Sequence, residues 1–288
     1  MKKLAFCIYF IFLIVAISAQ DRINLFNNEI DVYNYKNPGF PNPIMEKRIS
    51  LTNEKMRIYN KNYSEKHEEY PITWEIINKN YFITFNYTGV NFGNNVSHGI
   101  KKYLVLSRVV LIGDRQYSDY IALYDNNNEL VMEVSRFDKR MGDFTISATS
   151  ELKENSITYT ASNLFDTSHL TPWVEGVNGN GVGEKITQTI GYNDSAKTYY
   201  LIISNGFVNN NKPYLYEYNN RVKAVKIYPD DKVNDFVIIN IEDTPNIQCI
   251  EFIFKGYCRK SMTIEIMEVY PGSHYDDTCI NYLEINGY

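Results

Sequence analysis

An all-β fold is predicted, and three observations predict it. The chain of 288 residues carries 25 Tyr and 15 Phe against 2 Trp, and such rings favour pleated, half-buried surfaces over helices. Short runs that alternate apolar and polar residues recur in both halves, separated by turn-forming clusters such as Asn78-Lys79-Asn80 and Asp125-Asn126-Asn127-Asn128. No apolar period near 3.6 residues is sustained through the first half. With 44% hydrophobic and 22% charged residues, the composition is that of a globular protein, too apolar for a disordered one. A formal charge of −5 excludes a generally basic surface, so nucleic acid is not an expected partner.

Residues 1–19 read as a signal peptide. Lys2 and Lys3 precede an uncharged run from Leu4 that ends in the small residues Ala16, Ser18 and Ala19. The run is shorter than the roughly 20 residues that cross a bilayer, and Asp21 and Arg22 follow at once. A retained anchor helix is the alternative. A lipid attachment site at Cys7 is disfavoured by bulky Phe6 and by its place ahead of the apolar core. The expectation is a secreted, periplasmic or cell-surface protein with no membrane span after cleavage.

Residues 20–45 are polar and broken by Pro38, Pro41 and Pro43, and read as an extended arm or linker. Residues 46–150 read as a smaller antiparallel β domain of unknown type, with strands expected at 72–77, 81–87, 102–110, 120–124 and 130–135. Its Asp138-Lys139-Arg140 reads as a solvated turn before a catalytic group. In residues 151–288, eight strand-like runs fall at 157–160, 184–190, 199–204, 222–228, 236–241, 249–254, 262–270 and 278–285. Short strands at that density imply a sandwich or jelly roll, long enough to bury about two-thirds of its unfolded surface. Once Cys7 leaves with the signal, Cys249, Cys258 and Cys279 remain; export permits a disulfide, one thiol is left over, and the spacing does not choose the pair. The scattered His67, His98, His169 and His274 suggest no zinc site.

One ordered series of motifs covers about half the chain. It runs Ala161-Ser162-Asn163-Leu164-Phe165-Asp166, Thr171-Pro172-Trp173-Val174-Glu175-Gly176, Gly179-Asn180-Gly181-Val182-Gly183-Glu184, Asn205-Gly206-Phe207, Asn219-Asn220-Arg221-Val222-Lys223 and Val269-Tyr270-Pro271-Gly272, ending at Asp277-Thr278-Cys279-Ile280. The series resembles the NADase-type glycan-binding modules, discoidin-like and galactose-binding-like, found ahead of the catalytic domain of streptococcal NAD glycohydrolase. The resemblance implies a galactose-binding-like jelly-roll sandwich and a glycan or glycoconjugate partner. It implies no NAD cleavage, which belongs to a different domain of the resembled enzyme. Two departures, Thr167 after Asp166 and Asn281-Tyr282 after Ile280, lie near the place where many such sandwiches carry structural calcium.

A sandwich presents its loops at two ends, and a sugar site there needs apolar ring faces with a few fixed polar groups. Trp173 and Glu175 supply an aromatic beside a carboxylate, or else a core plug and a structural acceptor. The glycines 176, 179, 181 and 183 that follow lead into a strand rather than a helix, so they form no dinucleotide fingerprint. The loop 205–220 offers Asn205, Asn209, Asn210, Asn211, Lys212, Tyr214, Tyr216 and Tyr218 as amide and phenol partners for hydroxyls, or as turn filler. Arg221 could grip a ligand carboxylate or pair with an internal acid. The loop 271–277 adds His274, Tyr275, Asp276 and Asp277.

The expected ligand-binding set is therefore Trp173, Glu175, Asn205, Tyr214, Arg221, Tyr275 and Asp277. Asp166, Thr171 and Glu284 are oxygen donors suited to a structural calcium, although Asp166 could simply cap its loop. No other cofactor is expected. Glu175 and Glu184 are the only close acidic pair framed by glycines, and a glycosidase would need a larger cleft around them. The expectation is an exported, non-catalytic carbohydrate-binding protein. The alternative is a structural or adhesive envelope protein whose sandwich binds a protein partner, with a hydrolase hidden in the first half as a third, weaker reading.

Overall fold

A computed structural model describes residues 30–36, 44–52, 54–60, 67–87, 99–112, 115–135, 145–165, 171–189, 198–254 and 260–287. The signal-peptide reading, Asp138-Lys139-Arg140, Asp166 and Cys258 lie outside them. No helix among the described residues is long and apolar enough to cross a membrane.

The N-terminal unit is a meander of β1 (Ile30–Lys36), β2 (Ile44–Leu51), β3 (Lys55–Asn60), β4 (His67–Ile77), β5 (Asn80–Tyr87), β6 (Gly99–Ile112), β7 (Arg115–Tyr124) and β8 (Leu130–Ser135). Each strand pairs antiparallel with the next, and β1 packs back against β7 and β8. Alternate residues enter one core: Ile49 and Leu51, Met56 and Ile58, Tyr70 and Ile72, Tyr81, Ile83 and Phe85, Tyr103 and Val105. That is the period-two signature of strands, whose alternate residues face the same side of the sheet. The segment expected to be an arm, residues 20–45, is corrected in part, since it holds β1 and the first residues of β2. Pro38, Pro41 and Pro43 lie outside the described residues.

The C-terminal unit has β9 (Ile146–Ala148), β10 (Leu152–Glu154), β11 (Ile157–Tyr159), a 3-10 turn (Ala161–Phe165), β12 (Trp173–Val174), β13 (Lys185–Thr189), β14 (Thr198–Asn205), the single helical turn α1 (Leu215–Tyr218), β15 (Asn220–Pro229), β16 (Val237–Asn240), β17 (Ile247–Ile253), β18 (Ser261–Tyr270) and β19 (Thr278–Gly287). One layer runs β9-β13-β18-β15-β16 and the other β12-β19-β14-β17. Trp173, Ile186, Tyr199, Leu201, Val225, Ile264 and Leu283 fill the space between them, as in a jelly-roll sandwich. A short parallel contact of Asn220 and Arg221 with Thr278 and Cys279 seams the layers at one end. Strand β9, which the expected boundary at residue 150 assigned to the N-terminal unit, instead pairs with β13.

The two units share a sheet and a core. Strand β5 pairs with β6 only from Gly99 to Val105. Past that point the vacated edge of β6 is taken in parallel by Ile247, Gln248 and Cys249 of β17, so neither strand leaves an open ladder there. Beside this contact Phe82, Leu104, Leu106, Tyr120, Ala122 and Tyr124 pack with Ile202, Val208, Tyr216 and Ile247. Tyr282, which belongs to one of the two departures from the resembled pattern, packs against the same cluster.

Cys279 is fully buried and free, and burial pushes its thiol well above the ordinary range. It is expected to resist a water-soluble alkylating reagent in the native protein and to react fully in denaturant. Peptide mass spectrometry checks this, and equal labelling in both states would contradict the burial.

Candidate functional site

Three connections, 175–184, 206–219 and 271–277, meet at the seamed end of the sandwich. The backbone of Glu175 donates to Thr278 O at 3.2 Å and that of Asn220 to Asp277 O at 2.9 Å. The Thr278 hydroxyl donates to Asn180 O at 2.7 Å. The loop after β18 folds over α1: Ser273 N donates to Glu217 O at 3.0 Å, while His274 N and Tyr275 N donate to Tyr218 O at 3.1 and 2.9 Å. A side chain at Gly272 could not be accommodated, because its Cβ would lie 2.3 Å from Tyr218 O.

This arrangement gathers rings. In one helical turn, positions four apart share a face, so Tyr214 and Tyr218 stand together with centroids 4.9 Å apart. Tyr216, on the opposite face, is fully buried. His274 stacks on Tyr218 at 3.7 Å and 18°, and Tyr275 lies 6.3 Å from Tyr218. Tyr214 and Tyr275 are 37% and 48% exposed. The result is an aromatic surface made by two loops, edged by the exposed Asn211, Lys212, Ser273 and Asp276.

Beneath it lies a charged network. Asp243 receives two hydrogen bonds from Arg221, Nε to Oδ1 at 3.1 Å and Nη2 to Oδ2 at 3.0 Å. It also receives Lys79 Nζ at 2.5 Å and the Tyr216 hydroxyl at 3.0 Å. Burial alone would raise the Asp243 carboxyl, but the hydrogen bonds and charges of Arg221 and Lys79 outweigh it and hold the group at about 2. Burial likewise would lower Arg221, and Asp243 more than offsets this, so the guanidinium is raised above its ordinary value. The remaining guanidinium nitrogen, Nη1, donates to Asn219 O at 2.9 Å and Pro271 O at 3.1 Å, which ties the two aromatic loops to one another.

Of the expected ligand set, Tyr214 and Tyr275 stay at the surface and four residues are corrected to structural roles. Trp173 is a core residue, 0% exposed, whose Nε1 donates to Ser150 O at 3.0 Å. Glu175 is buried, with Oε2 accepting Val177 N at 2.8 Å and Oε1 accepting Thr278 N at 3.4 Å. Burial raises its carboxyl, and Asp277 and Glu184 add to the rise. Asn205 is buried and brackets Val222, donating to its carbonyl at 2.7 Å and accepting its N–H at 2.9 Å. Arg221 is taken by Asp243. Asp277 is half-buried and raised by burial, with help from Glu154 and Asp276. Asn210, also on the loop read as a hydroxyl platform, instead donates to Tyr124 O of the N-terminal unit at 3.0 Å.

Of the calcium set, Asp166 lies outside the described residues. Thr171 is exposed, the Glu284 carboxylate accepts the Tyr282 hydroxyl at 2.6 Å, and no group of three or more His, Cys, Asp or Glu that could hold a metal occurs among the described residues. The sequence reading missed Tyr218 and His274 as the centre of the ring cluster and Lys79 and Asp243 as its support. The four-residue spacing of Tyr214 and Tyr218 was a usable signal. The approach of residues 78–79 to residues 217 and 243 had none, being set by chain positions far apart.

Among curated proteins none matches the chain. Among solved structures, the chain is similar to the arabinofuranosyltransferase AftD from Mycobacteria. A mutant form of that protein matches at 12% identity and a TM-score of 0.37 over 51% of this chain and 11% of that chain. The form without the mutation matches at 12% and 0.37 over 50% of this chain and 10% of that chain. This chain thus spans about a tenth of the length of the protein it matches. The family model described as NAD glycohydrolase translocation F5/8 type C domain matches residues 136–286, which takes in every strand of the sandwich, both aromatic loops and the seam between them. On that match, over just more than half its length, the chain belongs to the NAD glycohydrolase translocation F5/8 type C domain family.

Proposed function

We propose that this is an exported, non-catalytic carbohydrate-binding protein that takes a glycan or glycoconjugate on the surface of Tyr214, Tyr218, His274 and Tyr275. The observation that carries the reading is the gathering of four rings, three of them exposed, at the loop end of a discoidin-like sandwich. Pyranose rings offer C–H faces to aromatic rings and hydroxyls to polar edges, and the exposed amide, ammonium, hydroxyl and carboxylate around the cluster are such edges.

A glycan array with the protein lacking residues 1–19 tests the reading. Replacing the two exposed tyrosines, Tyr214→Ala with Tyr275→Ala, is expected to weaken binding about tenfold or more. The same change is expected to alter stability by less than about 1 kcal/mol, as surface substitutions do. Binding to no glycan, or binding indifferent to the two rings, would sink the proposal.

A protein partner is the second reading, supported by Val177 and Val182, which are 41% and 51% exposed on the glycine-rich loop of the same end. A partner whose capture survives loss of Tyr214 and Tyr275 but not Val177→Asp with Val182→Asp would favour it.

A further inference from the structure

The N-terminal unit reaches the aromatic surface through one hairpin tip. Asn78 and Lys79 form the two-residue turn between β4 and β5, both with positive φ, 46° and 64°. Such turns prefer Asn followed by Gly, so a lysine at the second position carries a local conformational cost. The cost is matched by what three successive side chains touch. Asn78 Nδ2 donates to Glu217 Oε2 at 2.7 Å. Lys79 Nζ pairs with Asp243 at 2.5 Å. Asn80 Nδ2 donates to Pro213 O at 3.1 Å. A second turn of the same unit helps, since Asn128 Oδ1 accepts Asn210 N at 2.8 Å.

The contacts at Glu217 and Pro213 fall on or just before α1, Asp243 reaches it through the Tyr216 hydroxyl, and Asn210 lies on the loop that leads into it; α1 itself is a single turn of Leu215–Tyr218. An isolated helical turn has no stability of its own, because nucleation fixes several residues for one hydrogen bond. Its position therefore comes from its contacts. One side, through Pro213, Tyr216 and Glu217, faces the hairpin tip and Asp243; the other carries Tyr214 and Tyr218. The carbonyls of Glu217 and Tyr218 also hold the backbone of Ser273, His274 and Tyr275. Moving α1 would thus move all four rings.

We propose that Asn78 and Lys79 are positioning residues for the aromatic surface: the N-terminal unit docks on α1 and thereby sets the spacing of rings that belong wholly to the sandwich. The consequence for ligands rests on the proposed binding role of that surface, whereas the positioning itself does not. Docking and ring order are then two coupled equilibria, each stabilising the other.

The double substitution Asn78→Gly with Lys79→Gly tests this, because Gly-Gly keeps the turn while removing both side chains. Amide hydrogen exchange of the full-length protein is the readout. The segment 271–277 is expected to exchange about fivefold faster or more, while β2 and β3 keep the wild-type rate. Lys79→Gly alone is expected to give a smaller change in the same segment, and Lys79→Arg to preserve protection. Unchanged exchange over 271–277 in the double variant, or acceleration spread equally over β2 and β3, overturns the proposal. A protein that binds no glycan would leave this result intact, and failure here would leave glycan binding intact, so the two ideas fail separately.

Discussion

Trp173→Ala is expected to cost about 3 to 5 kcal/mol of folding stability, the range for deleting a buried large aromatic. The ring is 0% exposed between the layers of the sandwich, and its loss leaves a cavity that the neighbouring Leu164, Ile280 and Leu283 can close only in part. The Nε1 donor also goes, which leaves Ser150 O without that bond. Trp173→Phe separates the terms, since it keeps part of the volume and loses the N–H, and about 1 to 2 kcal/mol is expected. Urea unfolding with intrinsic fluorescence or circular dichroism gives the numbers. A variant of wild-type stability that had lost glycan binding would return Trp173 to the surface role its sequence context suggested.

The second large effect lies at Asp243. Asp243→Ala is expected to destabilise by about 3 to 5 kcal/mol, because it strands the Arg221 guanidinium, only 7% exposed, without its counter-charge. The pH dependence has a definite sign. Arg221 and Lys79 hold the folded-state carboxyl at about 2, below its ordinary 3.8. The stabilisation is therefore fully present above about pH 4 and lost as pH falls from there towards 2. The shift corresponds to about 2 kcal/mol. Unfolding measured at pH 6, 4, 3 and 2 is expected to show the wild type losing its advantage over Asp243→Asn across that window. A difference that stays constant with pH would mean that Asp243 does not titrate with folding. Because Lys79 belongs to one unit and Arg221 to the other, the same acid window is expected to loosen the contact between them.

The strands and the fold class were legible because strand burial is a local pattern. Residues such as Ile72 and Trp74 alternate with the polar Thr73 and Glu75 whatever lies across the sheet. The site was only half legible. Nothing local distinguishes Trp173, buried between the layers, from an aromatic at a loop tip, or Arg221 paired with Asp243 from one waiting for a ligand. The expected set mixed both kinds, and for Trp173 and Arg221 the choice was made by Ser150 and Asp243, each more than twenty positions away.

Determined by the sequence itself were the all-β architecture, the ordered motifs from Ala161 to Ile280 that carry the family, and the two loops that hold the aromatic surface. These depend on neighbour-to-neighbour alternation, turn chemistry and short fixed spacings. Decided only by tertiary structure were the burial of Trp173, Glu175, Asn205 and Arg221, the stacking of His274 on Tyr218, and the seating of Asn78 and Lys79 against α1. Each of those depends on a backbone brought close from far along the chain. Desolvation and ion pairing act on distance in space, and sequence separation carries no record of it.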